Sequence, residues 1–428
     1  MRPIMFIFVL VFFFSNNFAI AANPEMMPDI DKALLQTDFW LDKQEGEKVL
    51  VGKSDIDYLN RSMQTADMPD LKYYPSVIGR ELLKKYLQEY EIDSELFVSG
   101  KRLTQNQIAQ LDEDRNTEQL PQEKKTKYGV VVERTNLRTL PTILQAFAVP
   151  GDREFDMWQE TAVDPAEPVV ILHNNKKNDF FYVQMRNYRG WVPATAIAQT
   201  ERDNWLRYVE PEKFAIVTQR ILRLSQGKNK WIFQMGSRIP TEGKSLLLPA
   251  RDGSSRLQII KQEAEYGNNL HEGYLPYTTN NLIRQAFKHL GSPYGWGGLK
   301  ESVDCSSFVA DVYRTVGIAL PRNADEQEEA NTSTRIDLAG YSREEKIAKI
   351  SESPLSSAIF MPDHVMLYLG SRGGMPYVIH ALGSYGAKDI NGDYQRMAVM
   401  EVVVSDVLLT TRSGDAFLER FTSMQSYR

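Results

Sequence analysis

The chain has 428 residues, 42% hydrophobic and 25% charged, the make-up of folded globular protein rather than of a disordered or fibrous one. Its net charge of −6 argues against nucleic acid as the main partner. With one cysteine, Cys305, no intrachain disulfide can form, and the length suggests two to four domains of roughly 100–200 residues each.

Residues 1–21 read as a secretory signal. Arg2 supplies the positive start, residues 4–14 are almost unbroken apolar sequence, and Ala19-Ile20-Ala21 fits the small-x-small cleavage rule. The run is short for a membrane span, which takes about 20 residues, and an uncleaved N-terminal anchor is the alternative reading. No cysteine follows it to carry a lipoprotein anchor, and no later segment reaches the roughly 18 apolar residues of a spanning helix. The expected location is therefore outside the cytoplasm, in the periplasm or cell envelope of a bacterium, with no stable membrane span once the signal is cleaved.

Residues 22–125 form an acidic, mostly helical accessory region. In Gly79-Arg80-Glu81-Leu82-Leu83-Lys84-Lys85-Tyr86-Leu87 the leucines fall at helical spacing with charges opposite. The polar stretch 112–127 has the composition of a linker. Residues 126–200 then show short β-branched and aromatic runs. Pro168-Val169-Val170-Ile171-Leu172 and Phe180-Phe181-Tyr182-Val183 flank a polar turn, and Arg189-Gly190-Trp191-Val192-Pro193 follows. This spacing suggests a small barrel and resembles a bacterial SH3-like domain. Residues 210–265, with Lys230-Trp231-Ile232-Phe233 and Ser245-Leu246-Leu247-Leu248, are expected to be a second barrel of this kind.

Residues 270–428 form the last domain. Thr278 or Thr279 can cap a helix that Gly291 ends, and a second helix starts near Cys305 and stops at Gly317. Residues 364–369, 377–382 and 400–404 read as strands. Helices followed by an antiparallel sheet indicate an α+β domain.

A lone thiol in an exported chain is either a buried small hydrophobe or a nucleophile. Asp304-Cys305-Ser306-Ser307 opens an amphipathic helix, whose N-terminus favours the thiolate and whose first amides can hold an oxyanion. Of the five histidines, His364 opens a strand and His380 ends the next one. His364 is placed as the base, and His380 as the group that orients it. The close ligand pairs that define zinc sites are missing from the sequence.

Gly291-Ser292-Pro293-Tyr294-Gly295-Trp296-Gly297-Gly298 and Val303-Asp304-Cys305-Ser306-Ser307-Phe308-Val309 resemble the nucleophile region of NlpC-type cell-wall cysteine peptidases. Leu320-Pro321-Arg322 with Gln327, and His364-Val365-Met366-Leu367-Tyr368-Leu369-Gly370, continue the likeness. It implies a papain-like fold for residues 270–428, with Cys305 as nucleophile, His364 as base and His380 as third member. With the SH3-like regions upstream, the chain looks most like the γ-D-glutamyl-L-diamino acid endopeptidases. In that subgroup the positions of Tyr294, Trp296, Asp304 and Ser306 line the subsite for an N-terminal L-alanine, Asp304 facing its amine, and Tyr188 is a candidate wall of the cleft. Two departures stand out: Ser307 replaces a usual glycine, and Ser356-Ser357 replaces a usual Gly-Asp pair.

The resulting expectation is a multidomain thiol hydrolase that needs no cofactor. It would cut the γ-D-Glu to diamino-acid bond of peptidoglycan stem peptides, preferring a free N-terminal L-Ala. The alternatives are a non-catalytic wall-binding protein, or an amidase or acyltransferase using the same thiol.

Overall fold

The computed structural model describes residues 30–332 and 334–428; the expected signal at residues 1–21 lies outside them. The chain is multidomain, with mixed helix and strand.

The first β unit is antiparallel throughout. In sheet order its strands are Ile197–Thr200, Lys127–Val131, Pro168–Asn174, Phe180–Gln184, Arg189–Pro193, Thr135–Arg138 and Gln159–Val163. Successive side chains take opposite faces. Val131, Val169, Ile171 and Val183 share one cluster, whereas Val130, Val170, Leu172, Tyr182 and Trp191 belong to another. The second cluster is completed by Trp205 and Tyr208 of the Arg202–Val209 helix and by the next β unit. Because both faces are covered, Pro168–Asn174 is apolar at successive positions instead of alternating.

That next unit is a sheet in the order Leu257–Glu263, Ser245–Arg251, Arg238–Glu242, Phe214–Val217, Leu270–Glu272, with a hairpin of Ile221–Gln226 and Asn229–Gln234. Trp231 lies in its core and donates its indole hydrogen to the Pro249 carbonyl at 2.7 Å.

Residues 30–125 carry the helices Lys53–Ser62, Arg80–Leu87 and Gln105–Asp114. Their apolar side chains are divided among neighbours. Leu34, Trp40 and Met63 enter the core of the last domain, Leu83 and Leu87 enter that of the β units, and Leu96, Val98 and Leu103 pack with Trp158. The stretch 112–127 is not the free linker its composition suggests. It holds the end of the Gln105–Asp114 helix and the strand Glu123–Lys125, which pairs with Val77–Gly79. Buried Arg115 donates to the Tyr90 carbonyl at 2.8 Å and pairs with Asp112 at 3.3 Å. Composition predicts a solvated tether because it cannot register partners this far along the chain.

In the last domain the Thr279–Phe287 helix is capped by the Thr278 hydroxyl, which accepts the Asn281 amide at 3.1 Å. The Cys305–Arg314 helix is buried from Cys305 through Tyr313. Phe308, Val309 and Val312 meet Val365, Leu367, Ile379 and Ala381 on one face of an antiparallel sheet. Its strand order is Ile336–Asp337, Ser423–Gln425, Ala358–Met361, His364–Arg372, Met375–Lys388, Tyr394–Asp406. The Arg343–Ser351 and Phe417–Arg420 helices cover the other face, where Met366, Tyr368 and Val403 point. Ser356 takes the left-handed φ of +66°, which explains why glycine suits that place better.

His289 is fully buried against Phe308, ring centroids 5.5 Å apart, and neither ring nitrogen has a partner among the described residues. Burial, aided by the Arg220 charge, pushes its pKa down to about 3. The unfolded chain, titrating near 6.5, takes the proton first. Stability present above pH ~6.5 is therefore lost as pH falls toward 3, by about 1.4 kcal/mol per pH unit from this group. His289→Leu is expected to flatten that slope. Urea midpoints at pH 7 and pH 4.5 measure it, and identical slopes in the two proteins would refute it.

Candidate active site

The Asp304 carboxylate caps the helix that begins at Cys305. Its Oδ1 accepts the Ser307 amide at 2.9 Å, and the Ser307 hydroxyl accepts the Asp304 amide at 2.9 Å. Ser307, one of the two departures, thus closes a reciprocal capping box. The cap holds Cys305 at the first helical position, among the free amides and positive end of the helix. Burial, and then the Asp304 carboxylate, push the Cys305 thiol up to about 12. The Val365 amide, the Arg322 charge and the Ser306 amide pull it the other way. The resting group is accordingly a thiol, with amides beside the sulfur.

Val365 follows His364, so the sulfur lies against the start of the His364–Arg372 strand. A two-residue turn, Pro362-Asp363, launches that strand. Proline presets the first φ, Asp363 takes φ +64°, and Met361 pairs with His364. His364 Nε2 and His380 Nδ1 are 2.7 Å apart. Phe417 stands edge-on to both rings at 6.2 and 6.4 Å. Burial lowers His364 to about 4, and burial with the neighbouring His364 holds His380 well below the usual range, so both imidazoles are neutral at pH 7. Cys305 reaches this strand through the Val365 amide; among the described residues its sulfur has no hydrogen bond to either imidazole. His173 and His289 lie elsewhere, one beside Lys124 and Asn116 and the other in the core.

The structure gathers the other expected site residues around Arg322. This buried guanidinium pairs with Asp304 Oδ2 at 2.5 Å, donates to Ser306 Oγ at 2.9 Å, and reaches Thr161 of the first β unit at 2.8 Å. Burial opposes charge on Asp304, but the Arg322 charge and hydrogen bonds, with Ser307, more than offset it and hold the carboxyl below its usual value. Asp304 Oδ2 also accepts the Gly297 amide at 3.0 Å. The carboxylate that the sequence pattern offers to a substrate amine is therefore already matched inside the protein.

Tyr294 is buried beside Cys305 and Asp304, and these two groups, after burial itself, keep its phenol protonated. Trp296 donates to the Asp156 carbonyl at 2.9 Å and meets Phe155 edge-on at 5.5 Å. Its loop lies flush on the first β unit because Gly297 and Gly298 adopt φ of 55° and 76°. A Cβ there would come within 2.5 Å of Gln159 and 2.6 Å of Ala162.

Tyr188 stands one step farther out, where its hydroxyl donates to Glu160. Sequence reasoning passed over Glu160, which sits in an ordinary-looking strand, Gln159–Val163, with no motif around it. Burial raises its pKa, against the Tyr188 hydrogen bond and the Arg322 charge, and among the described residues it has no ion-pair partner. The site thus holds a thiol at a helix start, a linked imidazole pair and a carboxylate with no ion-pair partner among the described residues.

Residues 291–404 match the NlpC/P60 family. Residues 145–193 match the SH3 domain (SH3b1 type). The last domain is thus an NlpC/P60 domain that follows an SH3b domain. NlpC/P60 is a family of cysteine peptidases, and the match supports a cell-wall peptidase acting on peptidoglycan. One similar solved structure is an NlpC/P60 endopeptidase from Photobacterium damselae subsp. piscicida. It is 18% identical with a TM-score of 0.75, and the match covers 91% of this chain and 96% of that one. At that identity the likeness speaks to the fold. Another is an NlpC/P60 family protein from Bacillus cereus ATCC 10987, 16% identical with a TM-score of 0.44, covering 70% of this chain and 99% of that one. No curated protein sequence matches the chain. Among the described residues no helix is long and apolar enough to cross a membrane.

Proposed function

We propose that the chain is an exported cysteine endopeptidase that hydrolyses the γ-D-Glu to L-diamino-acid bond of peptidoglycan stem peptides bearing a free N-terminal L-Ala. The observation that carries this reading is the Cys305 thiol at a capped helix start, against the strand that begins with His364, whose ring meets His380 of the next strand. His364 takes the thiol proton as the sulfur attacks the γ-carbonyl of D-Glu. The amides of the first helical turn receive the oxyanion. His364 then protonates the leaving amine, which breaks the C–N bond and leaves a thioester. Water, deprotonated by His364, hydrolyses the thioester and frees the thiol.

We assign the substrate amine to Glu160, held by Tyr188, and leave Asp304, with Ser306 and Arg322, to shape the subsite between Tyr294 and Trp296. Glu160 is half-buried and has no ion-pair partner among the described residues, so an ammonium ion suits it. As domain limits we propose residues 22–125, 126–200, 210–265 and 270–428, the middle two both SH3-like.

The test compares L-Ala-γ-D-Glu-diaminopimelate with its N-acetylated form, products being identified by mass spectrometry. Cleavage of the free-amine peptide alone is expected. Glu160→Gln is expected to raise KM for that peptide roughly 10- to 100-fold, with a smaller change in kcat, because it removes a buried charge-assisted contact. Equal cleavage of both peptides would overturn the amine assignment. Cleavage of neither would point to a non-catalytic wall-binding protein or to an amidase or acyltransferase on another amide.

A further inference from the structure

The imidazole pair does not end at His380. His380 Nε2 lies 3.2 Å from the Ser405 hydroxyl, and that hydroxyl lies 2.9 Å from the Asp406 carbonyl oxygen. Ser405 and His380 sit on the paired strands Tyr394–Asp406 and Met375–Lys388, two register steps apart, since His380 opposes Val403 and Val378 opposes Ser405. Both side chains are buried. The Asp406 carboxylate accepts the Leu408 amide at 2.8 Å, which pins the turn that presents the carbonyl.

These contacts have a direction. A carbonyl oxygen only accepts, so the single hydroxyl hydrogen of Ser405 goes to Asp406. The Ser405 oxygen must then accept from His380 Nε2–H. A neutral imidazole carries one ring hydrogen, so His380 Nδ1 is bare and accepts from His364 Nε2–H at 2.7 Å. That leaves His364 Nδ1 bare, the state in which the ring can take a proton from a thiol. If the chain ran the other way, with His380 protonated on Nδ1, His364 would carry its hydrogen on Nδ1 and could not act as a base there.

We propose that Ser405, oriented by the Asp406 carbonyl, is a positioning residue that selects the productive tautomer of both histidines. This rests on the reading of Cys305, His364 and His380 as a thiol triad. The groups facing His380 are His364 from one neighbouring strand, Ser405 from the other and the uncharged Phe417 ring from the covering helix, and His364 is the titratable group that acts on it. A tautomer ratio does not depend on pH, so its loss has a signature of its own.

The test uses the isosteric pair Ser405→Thr and Ser405→Val in the full chain. Ser405→Val is expected to lower kcat on the free-amine stem peptide roughly 10- to 100-fold, with KM changed less than about twofold, while Ser405→Thr stays within about threefold of the parent. The pH profile of kcat/KM should drop in height and keep its shape. Nitrogen-15 spectra of the parent protein should show His364 and His380 each protonated at Nε2 with a bare Nδ1, and Ser405→Val should populate the opposite tautomer. Equal kcat in the Thr and Val variants, a shifted limb of the pH profile in Ser405→Val, or Nδ1–H on His380 in the parent would each overturn the proposal. If the parent cleaves no stem peptide, the functional reading fails, and the nitrogen spectrum of the parent still decides the relay. The same spectrum decides it if Ser405→Val does not fold.

Discussion

Cys305→Ala is expected to lower kcat on the free-amine stem peptide by roughly 10⁴- to 10⁶-fold, as loss of the nucleophile does in enzymes that form an acyl intermediate. The fold should survive the change. The helix start is held by Asp304 and Ser307, neither of which uses the sulfur, and alanine is a good helix former. The variant removes a small buried group and should change the melting temperature by only a few degrees. It should also bind the peptide with nearly parental affinity, because the proposed amine contact is made by Glu160 and Tyr188 and does not involve the sulfur. Turnover and calorimetric binding measured on the same preparation separate the two effects. Full turnover in Cys305→Ala would end the thiol-hydrolase reading. Loss of both turnover and binding would instead show that the sulfur supports the shape of the subsite.

Arg322→Ala is expected to cost roughly 3–5 kcal/mol of stability, the usual penalty for leaving one member of a buried ion pair without its partner. Asp304 would keep the Ser307 and Gly297 amides but lose its ion-pair partner, and Thr161 would lose one of the contacts that tie the first β unit to the last domain. The pH dependence gives the sign. In the parent protein the folded pKa of Asp304 is depressed, so its contribution is present above the unfolded value of about 3.9 and is lost as pH falls through the folded value. In the variant the Arg322 charge no longer offsets burial, so that pKa rises despite the Ser307 hydrogen bonds, and protonation relieves the cost. The stability gap between the two proteins should therefore shrink as pH drops from 7 toward 4, which urea midpoints would measure. Arg322→Lys is expected to recover little, because one ammonium cannot span Asp304, Ser306 and Thr161 together. The double change Asp304→Asn with Arg322→Met should be more stable than Arg322→Ala alone, since it removes the orphaned charge. A gap that stays constant with pH would refute the ion-pair account.

The chemistry-bearing elements could be read along the chain because they depend on neighbours in sequence. The Asp304 cap, the thiol one residue later, and the alternation that opens at His364 each involve residues within about one helical turn or a few strand positions. The first helix, expected to run to Gly291, instead ends at Phe287 with Lys288 as its C-cap. The strands were expected too short. Met375–Lys388 and Tyr394–Asp406 run well past their apolar centres, because backbone pairing between two adjacent strands continues where burial does not. A helix end and a strand inside 112–127 were missed for the converse reason: charged residues such as Arg115 are buried by partners that composition cannot display.

What each charged group faces was settled only through space. Asp304 meets Arg322 eighteen residues on, and Arg322 meets Thr161 in another domain. Glu160 is a carboxylate with no ion-pair partner among the described residues only because of where the fold buries its strand, and Ser405 acquires a role only because strand pairing sets it beside His380. Helix capping and strand alternation are local consequences of backbone geometry, so they are written in consecutive residues. Desolvation, ion pairing and the direction of a hydrogen-bond chain depend on which groups the finished fold brings within a few ångströms, and no local pattern encodes that choice.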